Sequence, residues 1–96
     1  MDTEILDEVF EVIKDRRENP REQSYVSHLL KEGEKAVFEK VREESEELIE
    51  AAEGGERSEI IHEAADAIFH VMVLLAAKGV EFEDVMKELR KRRKPR

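Results

Sequence analysis

The chain has 96 residues, 44% of them charged and 40% apolar, which is enough for one domain (residues 1–96) with a small core under a densely charged surface. Seventeen Lys and Arg against twenty-five Asp and Glu leave a net charge of −8, which argues against gripping nucleic acid with the whole surface. No cysteine is present, so disulfide frameworks, zinc–thiolate sites and cysteine nucleophiles are excluded.

The elements all read as helices, in keeping with four Gly, two Pro and an abundance of Glu, Lys and Arg. From Asp2 to about Glu18, apolar residues at Ile5, Leu6, Val9, Phe10, Val12 and Ile13 predict an amphipathic helix that ends before Asn19-Pro20. Ser24 is placed to cap a short helix running to Glu32, with Gly33 as its stop. A long helix is expected from Glu34 to Glu53, ending at Gly54-Gly55. Ser58 is expected to cap the next one, with Glu59 and Ile60 opening a run that ends at Gly79. The last predicted helix, from Phe82 to about Arg93, is expected to bury Phe82, Val85, Met86 and Leu89, with Pro95 beyond it. The expected fold is all-α and bundle-like, with four main helices and one short one.

The N-terminus begins acidic and shows no signal-peptide pattern. The longest apolar stretch, Ala64 to Ala77, is interrupted by Asp66 and His70 and is too short to cross a bilayer. A soluble cytoplasmic protein is expected, with neither a membrane nor a nucleic acid as partner.

The charge is unevenly placed. Between Glu34 and Asp66 stand twelve acids and four bases, and elsewhere the two signs cancel. In the third helix the inward stripe is Val37, Val41, Leu48 and Ala51, and the position missing from that series is Glu44. A carboxylate on the core side costs several kcal/mol, roughly, unless it is paired or bound to metal. Glu47 follows three residues later on the same side, while Glu43 and Glu46 are rotated towards water. The fourth helix is apolar on nearly all sides, yet carries Glu63 and Asp66 on one face with His70 four residues further on.

Because only Gly54-Gly55 separates the two helices, they should be antiparallel neighbours, with Glu47 near Glu63 and Glu44 near Asp66. Lys40 is the only nearby cation. Four converging carboxylates raise one another's pKa unless a cation neutralises them, and oxygen-only donors point to Mg²⁺ or Mn²⁺ rather than Zn²⁺. Acid-x-x-acid pairs are common on Glu-rich helices; what singles these out is that both interrupt an apolar stripe and meet across one turn. His70 reads as a hydrogen-bonded core residue. The basic run Arg90–Arg96 reads first as a solvated tail complementing a helix C-terminus, second as a basic arm over an anionic substrate and third as a nucleic-acid tail.

These residues match a known pattern. The acid-x-x-acid pair on one helix and Glu-x-x-Asp on the next resemble the metal signature of the all-α nucleoside triphosphate pyrophosphohydrolase superfamily. Within it the chain is similar to the phosphoribosyl-ATP pyrophosphatase family. The likeness runs through Ser24-Tyr25, Gly33, Val37, Lys40-Val41 and Glu43-Glu44 to Glu47. It continues with Glu63-Ala64-Ala65-Asp66, His70, Val73-Leu74-Leu75, Gly79, Asp84-Val85, Leu89 and Arg92. The sequence departs from the pattern at Val26, Arg42 and Ser45. The resemblance implies hydrolysis of N1-(5-phosphoribosyl)-ATP at the α–β linkage, giving phosphoribosyl-AMP and pyrophosphate, in the second step of histidine biosynthesis. It also implies that Glu44, Glu47, Glu63 and Asp66 hold Mg²⁺ and serve catalysis, and that Lys40 meets phosphate oxygens. Ser24 and Tyr25 would contact substrate, and Arg16, Arg17 or Arg92 would hold the ribose phosphate. A stand-alone homodimeric enzyme is implied, with the Ser24 loop or the basic tail able to reach the partner's site.

Two other readings stay open. A house-cleaning pyrophosphohydrolase of non-standard or deoxy nucleoside triphosphates would use the same acids with a different base pocket. A helical interaction module would have no reason to set Glu44 and Asp66 against the core.

Overall fold

The computed structural model describes residues 1–93; Lys94, Pro95 and Arg96 of the basic tail lie outside the described residues. Five helices follow one another, and no strand occurs among the described residues: α1 (Glu4–Glu18), α2 (Tyr25–Glu32), α3 (Glu34–Gly54), α4 (Arg57–Ala77) and α5 (Phe82–Arg92). The all-α expectation and the count of four main helices and one short one are met.

The boundaries follow from local chemistry. Asp2 accepts from the Glu4 N–H at 2.9 Å, so α1 starts two residues later than its apolar pattern indicated. Ser24 sits in an extended conformation and its hydroxyl accepts from the Ser27 N–H at 3.1 Å, satisfying one of the free donors at the start of α2. Gly33 at φ 106° makes the sharp break between α2 and α3, a conformation that a side chain resists. Gly55 at φ 79° ends α3. Glu56 is then already extended, so α4 begins at Arg57 and its N-cap is Glu56, not Ser58. The Gly-Gly turn completes the reversal sooner than a Ser58 cap requires. Ser58 lies inside the first turn.

α3 and α4 form an antiparallel hairpin, the most extensive helix contact in the chain. Lys78 at the end of α4 meets Glu34 at the start of α3 at 3.1 Å, an exposed pair that marks the antiparallel register at the open end. α1 and α2 pack across that same end. The buried core is one cluster there: Phe10 and Ile13 from α1, Val26 and Leu29 from α2, Val37 from α3, and Met72, Val73 and Ala76 from α4. Each of these side chains other than Ala76 stabilises the fold by roughly 1.5–3 kcal/mol through removal from water.

The core does not extend to α5, which has no buried residue. Phe82 stacks at 5.9 Å from Phe10 and Glu81 meets Lys14 at 2.8 Å, but Val85 and Met86 are only half-buried and Leu89 is 56% exposed. The expected burial of the whole Phe82–Val85–Met86–Leu89 stripe is corrected: the apolar face exists, but among the described residues no helix lies over its far end. α4 is likewise incompletely covered, with Ile61, Ile68 and Val71 exposed on its outer side. By length and composition alone its 21 residues could cross a membrane, because the helix starts well before the apolar stretch at Ala64. Its contacts with α1, α2 and α3 make it instead the central helix of the bundle.

Candidate active site

The α3 stripe is buried at Val37, Glu44 and Ala51, seven residues apart, with Val41 and Leu48 half-buried between them. Glu44 therefore occupies the core side of the helix, as the gap in the apolar series indicated, and is only 6% exposed. Its neighbours explain how a charge is tolerated there. Lys40, one turn earlier, brings its ammonium within 3.4 Å of Glu44 Oε1 and 3.3 Å of Glu43. Partial burial works against the charge on Lys40, but the Glu43 and Glu44 carboxylates and the nearby Tyr25 outweigh it and hold its pKa above the usual lysine value.

Across the hairpin, Glu44, Glu47 and Glu63 each bring a carboxylate oxygen within 4.8 Å of the others. The proximity of Glu63 is the main reason that the Glu47 pKa is raised above the ordinary carboxylate value. Glu44 Oε2 and Glu63 Oε2 are buried and have no hydrogen-bond partner among the described residues. Buried orphaned carboxylate oxygens cost stability.

Asp66 is placed differently from expectation. It is 40% exposed rather than enclosed by the apolar helix, and it groups with Glu63 and His62, not with Glu44. The α3–α4 register sets Glu47 opposite Glu63 as expected, while Asp66, a turn further along α4, turns towards the edge of the hairpin. Glu63 is the one residue common to both groups. His62 was not singled out by its sequence; its place one helical turn before Asp66 and next to Glu63 was the available signal.

Tyr25 and His70 join the Ser24 loop to this region. The Asp66 backbone carbonyl can only accept, so His70 Nδ1 donates to it at 2.8 Å, leaving Nε2 to accept from the Tyr25 hydroxyl at 2.8 Å. His70 is thus the hydrogen-bonded core residue that the sequence indicated. Burial pushes the Tyr25 pKa up; Lys40 opposes that rise, and Glu44, Glu43 and Asp66 add to it, which places the phenol in electrostatic contact with the acids.

The arginines divide. Arg16 pairs with Asp15 and borders a hollow shared with Ser24, Tyr25 and Phe69. Arg17 donates to the Ala76 carbonyl at 2.7 Å and pairs with Glu18, fastening α1 to the end of α4. Ala76 is ten residues beyond Asp66, about 15 Å along the helix. Arg92 lies on α5, paired with Glu88 at 3.0 Å. The structure brings neither Arg17 nor Arg92 to the acids within one chain.

Comparison with known proteins matches residues 6–93 to the family described as phosphoribosyl-ATP pyrophosphohydrolase. A protein of Methanocella arvoryzae named phosphoribosyl-ATP pyrophosphatase is 50% identical over 93 residues, covering 95% of this chain and 98% of the relative. Proteins of the same name from Methanococcoides burtonii and Haloarcula marismortui are 46% and 45% identical, over 96% and 94% of this chain and 95% and 94% of their own lengths. A hairpin presenting buried acids, matched over nearly its whole chain to these relatives, belongs to the phosphoribosyl-ATP pyrophosphohydrolase family.

Proposed function

We propose that this chain hydrolyses N1-(5-phosphoribosyl)-ATP to phosphoribosyl-AMP and pyrophosphate, the second step of histidine biosynthesis, in the cytoplasm. The observation that carries the reading is Glu44: a buried carboxylate with an unpartnered oxygen, grouped with Glu47 and Glu63, in a chain of this family. The donor set suits a divalent cation. Hard ions such as Mg²⁺ and Mn²⁺ take carboxylate oxygens, and such an ion would supply the partner that the orphaned Oε2 atoms of Glu44 and Glu63 lack. Glu44, Glu47, Glu63 and Asp66 would hold one such ion or more, Glu63 being common to the two groups. When bound, it offsets the charge of the triphosphate and of the oxygen that attacks it.

The reaction adds one water across the α–β phosphoanhydride. The water oxygen bonds to phosphorus, the anhydride P–O bond breaks, and pyrophosphate leaves with the bonding electrons. The proton lost by water passes to a carboxylate of the cluster. Lys40 stays charged beside Glu44 and supplies a donor to phosphate oxygens. Tyr25, anchored through His70 to the α4 backbone, sets the Ser24 loop over the substrate. Of the three arginines, Arg16 is best placed for the ribose phosphate, since it shares a hollow with Ser24 and Tyr25. The uncovered outer face of α4, with Ile61, Ile68 and Val71, is what a second copy of the chain would cover in a homodimer. Arg92 would then reach a site only from the partner.

The test is pyrophosphate release in the presence of Mg²⁺, comparing phosphoribosyl-ATP with ATP and a panel of canonical and modified deoxynucleoside triphosphates. Turnover of phosphoribosyl-ATP alone, lost in Glu44→Gln, is the expected result. Turnover of a deoxynucleotide instead would overturn the substrate, and inactivity of folded protein on every substrate would overturn the enzyme.

A further inference from the structure

His62 stands where the acids end and solvent begins. It is 72% exposed, yet its Nε2 is 3.3 Å from Asp66 Oδ2 and 3.7 Å from Glu63 Oε1. One donor atom from each of His62, Glu63 and Asp66 lies within 4.8 Å of the other two. Two donors bound to one divalent ion at about 2.0–2.2 Å sit roughly 3–4.4 Å apart, so this arrangement needs little rearrangement to close on a cation. Two further observations point into the same place. Glu63, shared with the Glu44–Glu47 group, keeps a buried Oε2 without a partner, and Glu44 beyond it is a nearly fully buried carboxylate with the same deficit. An open hollow bordered by Glu47, Glu50 and Glu59 reaches two of the three residues, His62 and Glu63, from solvent.

We infer that His62 Nε2 is a nitrogen ligand of a divalent cation held with Glu63 and Asp66. This ligand shifts the preference at that position from Mg²⁺ towards Mn²⁺ and Co²⁺. The inference rests on the reading of the acids as a cation site. Its chemistry is ligand softness: oxygen-only sites suit Mg²⁺ and Mn²⁺, whereas an imidazole nitrogen adds affinity for transition ions, Co²⁺ more than Mn²⁺, and little for Mg²⁺. A plain surface pair between His62 and Asp66 would leave cation selectivity untouched, so selectivity separates the two.

The experiment loads the full-length protein with Mn²⁺ and looks for ¹⁴N coupling to the ion by pulsed electron paramagnetic resonance. Mg²⁺, Mn²⁺ and Co²⁺ affinities are measured in parallel by calorimetry for the wild type, His62→Gln and Glu44→Gln. His70 has both ring nitrogens engaged, with Tyr25 and Asp66, and His28 is turned to the Glu22 carbonyl, so a coupling lost in His62→Gln belongs to His62. The expected result is ¹⁴N coupling in the wild type that disappears in His62→Gln. Mn²⁺ and Co²⁺ should then bind at least about tenfold more weakly, the lower end of what losing even a partner that supports a metal ligand costs. Mg²⁺ affinity should change much less. Tight Mn²⁺ binding without nitrogen coupling, or with affinities unchanged in His62→Gln but lost in Glu44→Gln, overturns the role of His62 and leaves the acid site standing. Failure of the wild type to bind any of the three ions overturns both.

Discussion

The two ends of the α3–α4 hairpin are built from opposite materials. At the open end, Val37 faces Met72, Val73 and Ala76, the helices of the N-terminal half close over them, and Lys78 pairs with Glu34. Towards the turn, the same two helices face each other with Glu44, Glu47 and Glu63, and two buried oxygens have no partner. One helix pair thus carries both the stability of the fold and the groups that cost it stability. The core half can hold the acids in place because it does not depend on them, which is the usual relation between a scaffold and a preorganised site.

That division is sharpened by substitutions at either end. Met72→Ala, in the closed core, should cost about 2–5 kcal/mol in urea unfolding while leaving turnover per folded molecule unchanged. Glu44→Gln, at the other end, should cost the cation-free protein much less, since the amide keeps the shape, removes a like charge from beside Glu47 and Glu63, and leaves Lys40 paired with Glu43. It should also lower the turnover number about 10²–10³-fold, the cost of losing one preorganised electrostatic group. If Met72→Ala slows the chemistry of the folded molecules, or Glu44→Gln unfolds the protein, the two ends are not separable.

Much of this was legible because the signals were periodic. The gap in the α3 stripe located Glu44 on the buried side, and the short Gly54-Gly55 turn set the register that brings Glu47 to Glu63. What the pattern does not encode is cover. The stripe of α5 says which face is apolar, but whether another helix lies over Leu89 is a tertiary fact, and among the described residues none does. Asp66 illustrates the same limit: apolar neighbours in sequence surround it by chain order, while its side chain leaves at the hairpin's edge. His62 itself, and the contact by which Arg17 fastens α1 to α4, escaped for another reason. Each acts through one long-reaching side chain, to Asp66 and Glu63 in the first case and to the Ala76 carbonyl in the second, and such reach leaves no periodic trace.

The smallest effect concerns Glu47, exposed at the mouth of the cluster. Glu63 holds its pKa above the ordinary carboxylate value, so the folded protein binds this proton more tightly than the unfolded chain does. The sign follows directly. Below the ordinary carboxylate pKa both states are protonated and Glu47 makes no difference to stability. As pH rises through the ordinary value and then the raised one, the unfolded chain gives up its proton first, and folding is increasingly penalised up to a plateau. Glu47→Gln removes the penalty, so without divalent cation it should melt higher than the wild type at neutral pH, and the difference should vanish in acid. Saturating Mn²⁺ should reverse the order at neutral pH: an ion that binds only the folded state at a hundred times its Kd stabilises by about 2.7 kcal/mol, and the variant lacking a ligand forfeits part of that. Thermal melts of both proteins across pH, with and without Mn²⁺, read this out. A variant that melts below the wild type without cation would mean that Glu47 is held by a favourable contact and not strained against Glu63, and the turn end of the hairpin would then be stabilised like the core.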